Sequence, residues 1–141
     1  MPLLKFTRNR DQTYGPTTNG KYYISKPDHR KNSRSGGQKT KWCIDEDQEF
    51  SVFKPACEDF NSWFCRKNNC IFAVVDNGQI TLGKSGEKLA KFPNVSNGTD
   101  PWHGYPVLTE NEQNRPSSDM LLQLKEKLPV HLIVKIERGT L

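Results

Sequence analysis

The sequence predicts an α+β fold: an antiparallel β-meander with two short helices and a basic, poorly ordered N-terminal portion. Residues 71–92 hold short apolar runs separated by turn residues, which is typical of neighbouring antiparallel strands. Residues 57–64 and 120–128 repeat apolar side chains at helical spacing. We therefore expect a basic, loop-rich segment over residues 1–42 and a small α+β domain over residues 43–141.

The overall composition fits one folded domain. The chain has 141 residues, within the usual size of a single domain. Aromatic residues make up 10% of it, too many for a fully disordered chain, and hydrophobic residues make up 33%. No apolar stretch approaches membrane-spanning length, so we expect no membrane partner. The N-terminus lacks the apolar core of a signal peptide, which makes the cytoplasm the expected location.

Charge is distributed unevenly along the chain. Residues 1–42 carry ten basic and two acidic side chains, whereas the whole protein has a net charge of only +5. Such a split is typical of a basic arm on a near-neutral body. A basic arm favours a polyanionic partner, either nucleic acid or an acidic protein. The alternative is a flexible, solvated loop that happens to be basic.

The first half of the chain reads as short strands and loops. Bulky and β-branched residues predict a strand over residues 20–25, and polar residues predict a mobile loop over 27–40. Further short strands are predicted over residues 42–44 and 50–53, with the acidic residues 45–47 forming a turn between them.

A helix is predicted next. Pro55 suits the first position of a helix, and Cys57, Phe60 and Phe64 follow at spacings of three and four residues. This pattern indicates an amphipathic helix of about three turns.

The strongest local pattern is the meander. Residues 71–75 form an apolar run, residues 76–78 read Asp-Asn-Gly, and residues 79–82 are suited to a returning strand. Asn-Gly favours the positive φ angles of a type I′ hairpin. After a turn of glycine, lysine and serine, residues 88–92 supply a third strand, with Leu89 facing inward.

The C-terminal third is predicted to contain a long loop, a helix and a strand. Residues 93–116 are rich in proline and glycine and lack periodic apolar positions. Ser117 is the expected N-cap of a helix whose leucine face runs to Leu128, and Pro129 ends it. Residues 130–136 alternate in a way that predicts a closing edge strand, which would allow a homodimer through edge pairing.

An aromatic and histidine cluster lies between Pro101 and Pro106. Trp102, His103 and Tyr105 are held between these two restricted positions, which favours a rigid arrangement. Aromatic rings can stack on a base or grip a peptide, and an imidazole can transfer protons near neutral pH. The structural alternative is that the rings plug the end of the sheet and the imidazole caps a backbone carbonyl.

The four cysteines do not form a recognisable metal motif. Their spacings lack the Cys-x-x-Cys pair common in structural zinc sites. We expect them to be buried, reduced and free of metal, and we expect no cofactor. The cysteines are Cys43, Cys57, Cys65 and Cys70.

Residues 26–31 bring a carboxylate, an imidazole and cations close together. Ribonucleases that work without metal need groups for proton transfer and a cation for the charged transition state. His29, His103 and Arg30 could supply these, and the two histidines are the weak catalytic candidates of the sequence. The chain has no phosphate-binding loop of the Gly-x-x-x-x-Gly-Lys type, no Gly-x-Ser-x-Gly elbow and no His-Glu-x-x-His motif.

A basic stretch that ends at a tryptophan favours nucleic-acid binding without cleavage. Cations contact phosphates and a neighbouring aromatic ring can stack on a base. The candidate binding residues here are Arg30, Lys31, Arg34, Lys39, Lys41 and Trp42, with Trp102, His103 and Tyr105 as a second contact surface.

Taken together, the sequence favours a small non-enzymatic binding protein of bacterial or mobile-element type that contacts a polyanion such as nucleic acid. One alternative is a protein-interaction module, immunity- or antitoxin-like, whose basic loop meets an acidic protein. A further alternative is a small metal-independent ribonuclease-type toxin that uses His29 or His103.

Overall fold

The computed structural model describes residues 5–33 and 39–141. It confirms the α+β fold, because helices pack against two antiparallel sheets. The smaller sheet pairs strand β1 (Thr13–Tyr14) with β2 (Tyr23–Ile24). The predicted strand over residues 20–25 is therefore present but shorter.

The larger sheet is a four-stranded antiparallel meander. Neighbouring strands follow chain order, from β3 to β6. The register places Phe72 opposite Lys91 and Ala90 opposite Pro106. The strands are β3 (Phe64–Cys65), β4 (Cys70–Ala73), β5 (Leu89–Pro93) and β6 (Tyr105–Val107).

The helices flank this sheet. Short 3-10 helices span Pro27–His29 and Glu112–Asn114. The first of these lies inside the predicted loop over residues 27–40, of which residues 34–38 lie outside the described part of the chain. The α-helices are α1 (Glu46–Glu58), α2 (Phe60–Trp63), α3 (Ser118–Leu124) and α4 (Val130–Arg138).

The predicted strand over residues 50–53 is wrong, because these residues form the middle of α1. Asp45 is the N-cap, and its backbone N–H donates to the side chain of Gln48 at 2.9 Å. The acidic run is therefore the start of a helix, where carboxylates are favoured by the exposed N–H groups. Phe50 and Phe53, three positions apart, both become buried on one helix face.

The predicted helix over residues 57–64 is divided. Pro55 lies inside α1 instead of at its first position, and α1 ends at Glu58. The single turn α2 follows, and Phe64 already belongs to β3.

The meander uses a different partner strand from the predicted one. The turn after β4 is present, and Asp76 and Asn77 adopt φ angles of 52° and 54°. The returning strand over residues 79–82 is wrong, because β4 pairs with β5. Leu82 instead accepts a hydrogen bond from the backbone N–H of Cys43 at 2.8 Å. The segment after the turn therefore pairs with the chain around Cys43, and the local sequence pattern does not reveal this long-range contact.

The predicted edge strand over residues 130–136 is also wrong, because it is helix α4. Leu132, Ile133 and Ile136 are buried on one helical face, while Val130 is 70% exposed. Gly139 ends the helix with a φ of 71°, the left-handed conformation typical of a helix C-terminus. The edge pairing that suggested a homodimer therefore has no strand at this position. The Ser117 cap, in contrast, is confirmed, since its side chain accepts from the N–H of Met120.

The larger sheet separates two hydrophobic cores. Along β4, Ile71 and Ala73 face one core while Cys70 and Phe72 face the other, as the two-residue period of a strand requires. The aromatic core includes Tyr14, Tyr23, Trp42, Phe50, Phe53, Phe92 and Trp102. The aliphatic core includes Met120, Leu121, Leu124, Leu128, Leu132, Ile133 and Ile136.

Candidate nucleic-acid interface

The loop that carries His103 is anchored on both sides. The backbone N–H of Trp102 donates to Tyr22, and the carbonyl of Trp102 accepts from Ile24, each at 2.8 Å. One residue beyond His103, the carbonyl of Gly104 accepts from the indole N–H of Trp42 at 3.2 Å. The position of His103 is therefore set by the strand β2 and by a buried indole.

Gly104 can only be glycine without rearrangement. A Cβ at this position would overlap the ring of Phe92 and lie 2.6 Å from the carbonyl oxygen of Lys91. The close approach of this loop to β5 thus depends on the absence of a side chain.

His29 lies at the end of the first 3-10 helix and stacks on Tyr105. The two ring centroids are 4.8 Å apart and the planes differ by 18°. Nδ1 of His29 lies 2.6 Å from the carbonyl oxygen of Thr40. Because a carbonyl can only accept, Nδ1 carries the proton and Nε2 is the free basic nitrogen of the neutral ring. A third contact, from the N–H of Trp42 to the carbonyl of His29 at 2.8 Å, fixes the backbone.

The charge of His29 influences the ionisation of His103. Burial lowers the pKa of His103, and the charges of Lys26 and His29 lower it further. Nδ1 of His103 is buried and has no hydrogen-bond partner among the described residues. Burial is also the main cause that lowers the pKa of His29, against the opposing effect of its bond to Thr40. In both rings the lowered pKa favours the neutral form.

Lysines surround this pair. Lys39 and Lys41 are close enough to His29 for their charges to lower its pKa. Lys39 also forms an ion pair with Asp28 at 3.1 Å, and both partners are about half exposed. We call the surface formed by the rings and these cations the histidine face; its residues are Lys26, His29, Lys39, Lys41, His103 and Tyr105.

Other sequence-predicted binding residues lie elsewhere. Arg30 reaches Glu46 at 3.5 Å and Lys31 reaches Asp45 at 2.7 Å, so both cations are turned toward the start of α1. Arg34 lies outside the described residues.

Two predicted contact residues are buried. Trp42 and Trp102 are 0% and 3% exposed, so neither ring presents a face to solvent. Both rings belong to the aromatic core. Through the bond from Trp42 to Gly104 and the backbone bonds of Trp102, they hold the chain on either side of His103. Of the second contact surface, His103 and Tyr105 remain partly exposed.

The sequence reasoning missed a buried carboxyl group. Glu49 is 0% exposed and accepts hydrogen bonds from the hydroxyls of Tyr23 at 2.7 Å and Ser25 at 2.9 Å. Burial raises the pKa of Glu49 to about 8, which the two hydroxyl donors only partly oppose. A helical reading would have found it, because Glu49 lies four residues before Phe53 on the same face.

A cleft of about 470 Å³ opens beside this carboxyl. Its walls mix cations, including Arg8, Arg30 and Lys31, with the acidic residues 45–47. These charges largely compensate one another, so the cleft favours neither sign of ligand.

The cysteines do not assemble a site. All four are free thiols, and Cys57, Cys65 and Cys70 are buried as expected. Cys43 is exposed, so the expectation of burial is wrong for this residue. Within residues 5–33 and 39–141, no cluster of three or more side chains of the metal-ligating types occurs.

No helix in the described ranges has the length and apolar character needed to cross a bilayer. Comparison with protein-family models, with curated proteins and with solved structures found no match to this chain. A function must therefore be sought in the chemistry of the side chains themselves.

Proposed function

We propose that the protein binds single-stranded nucleic acid on the histidine face. The observation that carries this proposal is the stacked pair of His29 and Tyr105 at 4.8 Å, surrounded by lysines. Aromatic rings bind unpaired bases by stacking, and lysines contact the phosphates between them. The face offers both kinds of contact within one small area.

The charge balance of the face supports an anionic partner. Arg30 and Lys31 are compensated by the acidic residues of α1, whereas Lys26 and Lys41 carry no ion pair to a carboxylate among the described residues. Lys41 instead reaches the backbone carbonyl of Asp28 at 3.5 Å. These cations remain available to a phosphate chain.

The rings favour a single strand over a duplex. Tyr105 and His29 are part of the folded surface and belong to no protruding helix or ribbon that could enter a groove. A single strand can turn its bases toward such rings, whereas the bases of a duplex are stacked on one another.

The test is fluorescence anisotropy with a labelled single-stranded oligonucleotide across a salt series. Each phosphate contact on a single strand contributes a log–log slope of about −0.7, so two to three lysines predict a slope of about −1.4 to −2.1. Lys41→Ala should reduce the magnitude of that slope by about 0.7, and so should Lys26→Ala. Tyr105→Leu should lower affinity by about 1–3 kcal/mol without changing the slope, because it removes stacking only.

Lys125→Ala is the matched control, since Lys125 is an exposed lysine beyond the end of α3. Equal losses for Lys125→Ala and Lys41→Ala would show that attraction is nonspecific and would overturn the proposed face. The absence of salt-dependent binding to any single strand would overturn the function itself.

A further inference from the structure

The histidine face holds two of the three histidines of the chain, although they are far apart in sequence. His29 comes from the first 3-10 helix, and His103 comes from the loop before β6. Trp42 joins the two segments, because its backbone N–H donates to the carbonyl of His29 at 2.8 Å and its indole N–H donates to the carbonyl of Gly104 at 3.2 Å. The ring of His29 also stacks on Tyr105, two residues after His103. The third, His131, is exposed on α4. Folding thus assembles an imidazole pair on the surface that the lysines make attractive to phosphate.

The orientation of His29 suits it to accept a proton. Its Nδ1–H donates to Thr40 at 2.6 Å, so the lone pair of the neutral ring is on Nε2. Catalytic imidazoles are commonly oriented in this way, with one nitrogen held by an acceptor and the other left for the substrate. Stacking on Tyr105 fixes the plane of the same ring.

His103 is suited to the opposite role once an anion is present. Its Nδ1 is buried without a hydrogen-bond partner and the residue is partly exposed, so Nε2 is the nitrogen that the proposal assigns to the substrate. In the free protein the charge of Lys26 disfavours the protonated ring. A phosphate placed beside Lys26 would offset that charge and stabilise the imidazolium.

We infer that this face also cleaves RNA by transphosphorylation, with His29 as the general base and His103 as the general acid. The inference rests on the proposed function, because the substrate must first bind to the same surface. The substrate class is single-stranded RNA, since the reaction needs a 2′-hydroxyl next to the scissile phosphate.

The chemistry balances without a metal ion or cofactor. Nε2 of His29 takes the proton of the 2′-hydroxyl, and the oxygen forms a bond to phosphorus. The bond from phosphorus to the 5′-oxygen breaks, and that oxygen takes a proton from His103. The products are a 2′,3′-cyclic phosphate and a free 5′-hydroxyl, and the lysines stabilise the extra negative charge on the phosphorane. His29 gains one proton and His103 loses one. Both rings then exchange protons with water, which restores their starting protonation states.

The pH dependence should be bell-shaped, because one imidazole must be neutral while the other is protonated. The groups that face His29 are the ring of Tyr105, the Thr40 carbonyl, Lys39, Lys41 and Asp28. Lys26 and His29 face His103. Because the pKa values of both rings are lowered, the optimum should lie on the acid side of neutrality.

The experiment uses a labelled oligodeoxynucleotide that contains one ribonucleotide, in the presence of EDTA. Wild-type protein should cut it once and leave a 2′,3′-cyclic phosphate. His29→Gln and His103→Gln should each lower the rate about 100-fold or more, as expected for loss of a general base or acid. Because both rings belong to the binding face, the rates are compared at strand concentrations that saturate each variant, so that a loss of affinity does not enter the measured rate. His131→Gln is the matched control and should cut at the wild-type rate.

The outcomes separate the two proposals. Binding of the all-DNA strand without any cutting of the single ribonucleotide would overturn cleavage and leave the binding function standing. Cutting that persists at the wild-type rate in both glutamine variants would trace to a contaminant and would overturn the inference. Failure to bind either strand would overturn both proposals. If a variant does not fold, the pH profile of the wild-type protein decides: a flat profile between about pH 5 and about pH 8 would contradict an imidazole pair.

Discussion

The two hydrophobic cores on either side of the larger sheet are built in different ways. The aromatic core joins rings from β1, β2, α1, β5 and the loop before β6, so its members come from positions 14 to 102. The aliphatic core is dominated by leucines and isoleucines from α3 and α4, which are close together in the chain. The backbone of the histidine face is held by Trp42 and Trp102 of the first core, whereas the ring of Tyr105 packs against the second. Distant chain segments that share one rigid aromatic core are what bring His29 and His103 together.

The aromatic core is also the more polar of the two. Glu49 accepts from Tyr23 and Ser25 within it, and the indole of Trp42 donates to Gly104. Buried polar groups of this kind impose specific geometry, since each must keep its partner. Packing of aliphatic side chains is less directional, so the aliphatic core constrains the geometry of its surroundings less tightly.

The largest effect is expected for Phe53→Ala in the aromatic core. Phe53 is 0% exposed and its ring lies 5.2 Å from that of Phe92 and 5.9 Å from that of Trp102. Removing it leaves a cavity that these rigid rings cannot fill, and we expect a loss of about 4 kcal/mol in the free energy of unfolding. Urea denaturation measures this loss. Val130→Ala, at a 70% exposed position, is the control and should change stability by less than about 0.5 kcal/mol.

Leu132→Ala in the aliphatic core should cost less, about 3 kcal/mol. Leu132 is 2% exposed, but the flexible aliphatic side chains around it can move into part of the space. The same denaturation experiment, together with the nucleic-acid binding assay, checks this prediction. Binding should be unchanged in the folded variant, because α4 contributes no residue to the histidine face, and a loss of affinity would contradict the placement of binding on that face.

The free energy of unfolding should depend on pH because of a buried carboxyl group in the aromatic core, and the aliphatic core has no such group among its described members. The pKa of Glu49 is raised to about 8 in the folded protein, whereas the carboxyl of an unfolded chain ionises near its ordinary value of 4.5. The folded state therefore holds a proton that the unfolded state has lost, and stability falls by about 1.4 kcal/mol per pH unit as the pH rises through this window. The stabilisation is fully present below 4.5 and is lost by about pH 8.

Glu49→Gln should remove this decrease in the free energy of unfolding with rising pH. Between about pH 5.5 and about pH 7.5 the wild-type protein should lose between about 2 and 3 kcal/mol more than the variant. Leu132→Ala should keep the wild-type slope, because it leaves the carboxyl in place. Parallel curves for the wild type and Glu49→Gln would contradict a protonated carboxyl in the aromatic core.

The smallest loss of stability is expected for Gly104→Ala, about 2 kcal/mol, from overpacking against Phe92 and β5. Its effect on binding at the histidine face should be larger than this loss of stability suggests, because Gly104 directly follows His103 and its carbonyl accepts from Trp42. We expect binding or cleavage to fall even under conditions in which the variant is fully folded. Wild-type activity in the folded variant would show that the loop tolerates displacement.

Some parts of the structure could be read from local pattern, and others could not. The Ser117 cap, the turn at Asp76 and Asn77, and strands β4 and β5 depend on neighbouring residues, so the sequence predicts them. Apolar residues at every second position from Val130 to Ile136 favour a strand, although these residues form helix α4. Its basic last turn and Gly139 were the signals that favoured a helix.

The sequence by itself determined the α+β class, the basic first 42 residues and the identity of the two candidate histidines. Only the tertiary structure decided which of the cations stay available and which aromatic rings are buried. Ion pairing of Arg30 and Lys31 with α1 and the burial of Trp42 and Trp102 depend on contacts between distant segments. Such contacts follow from the packing of the whole chain, whereas caps, turns and strand periodicity follow from bonds within a few residues.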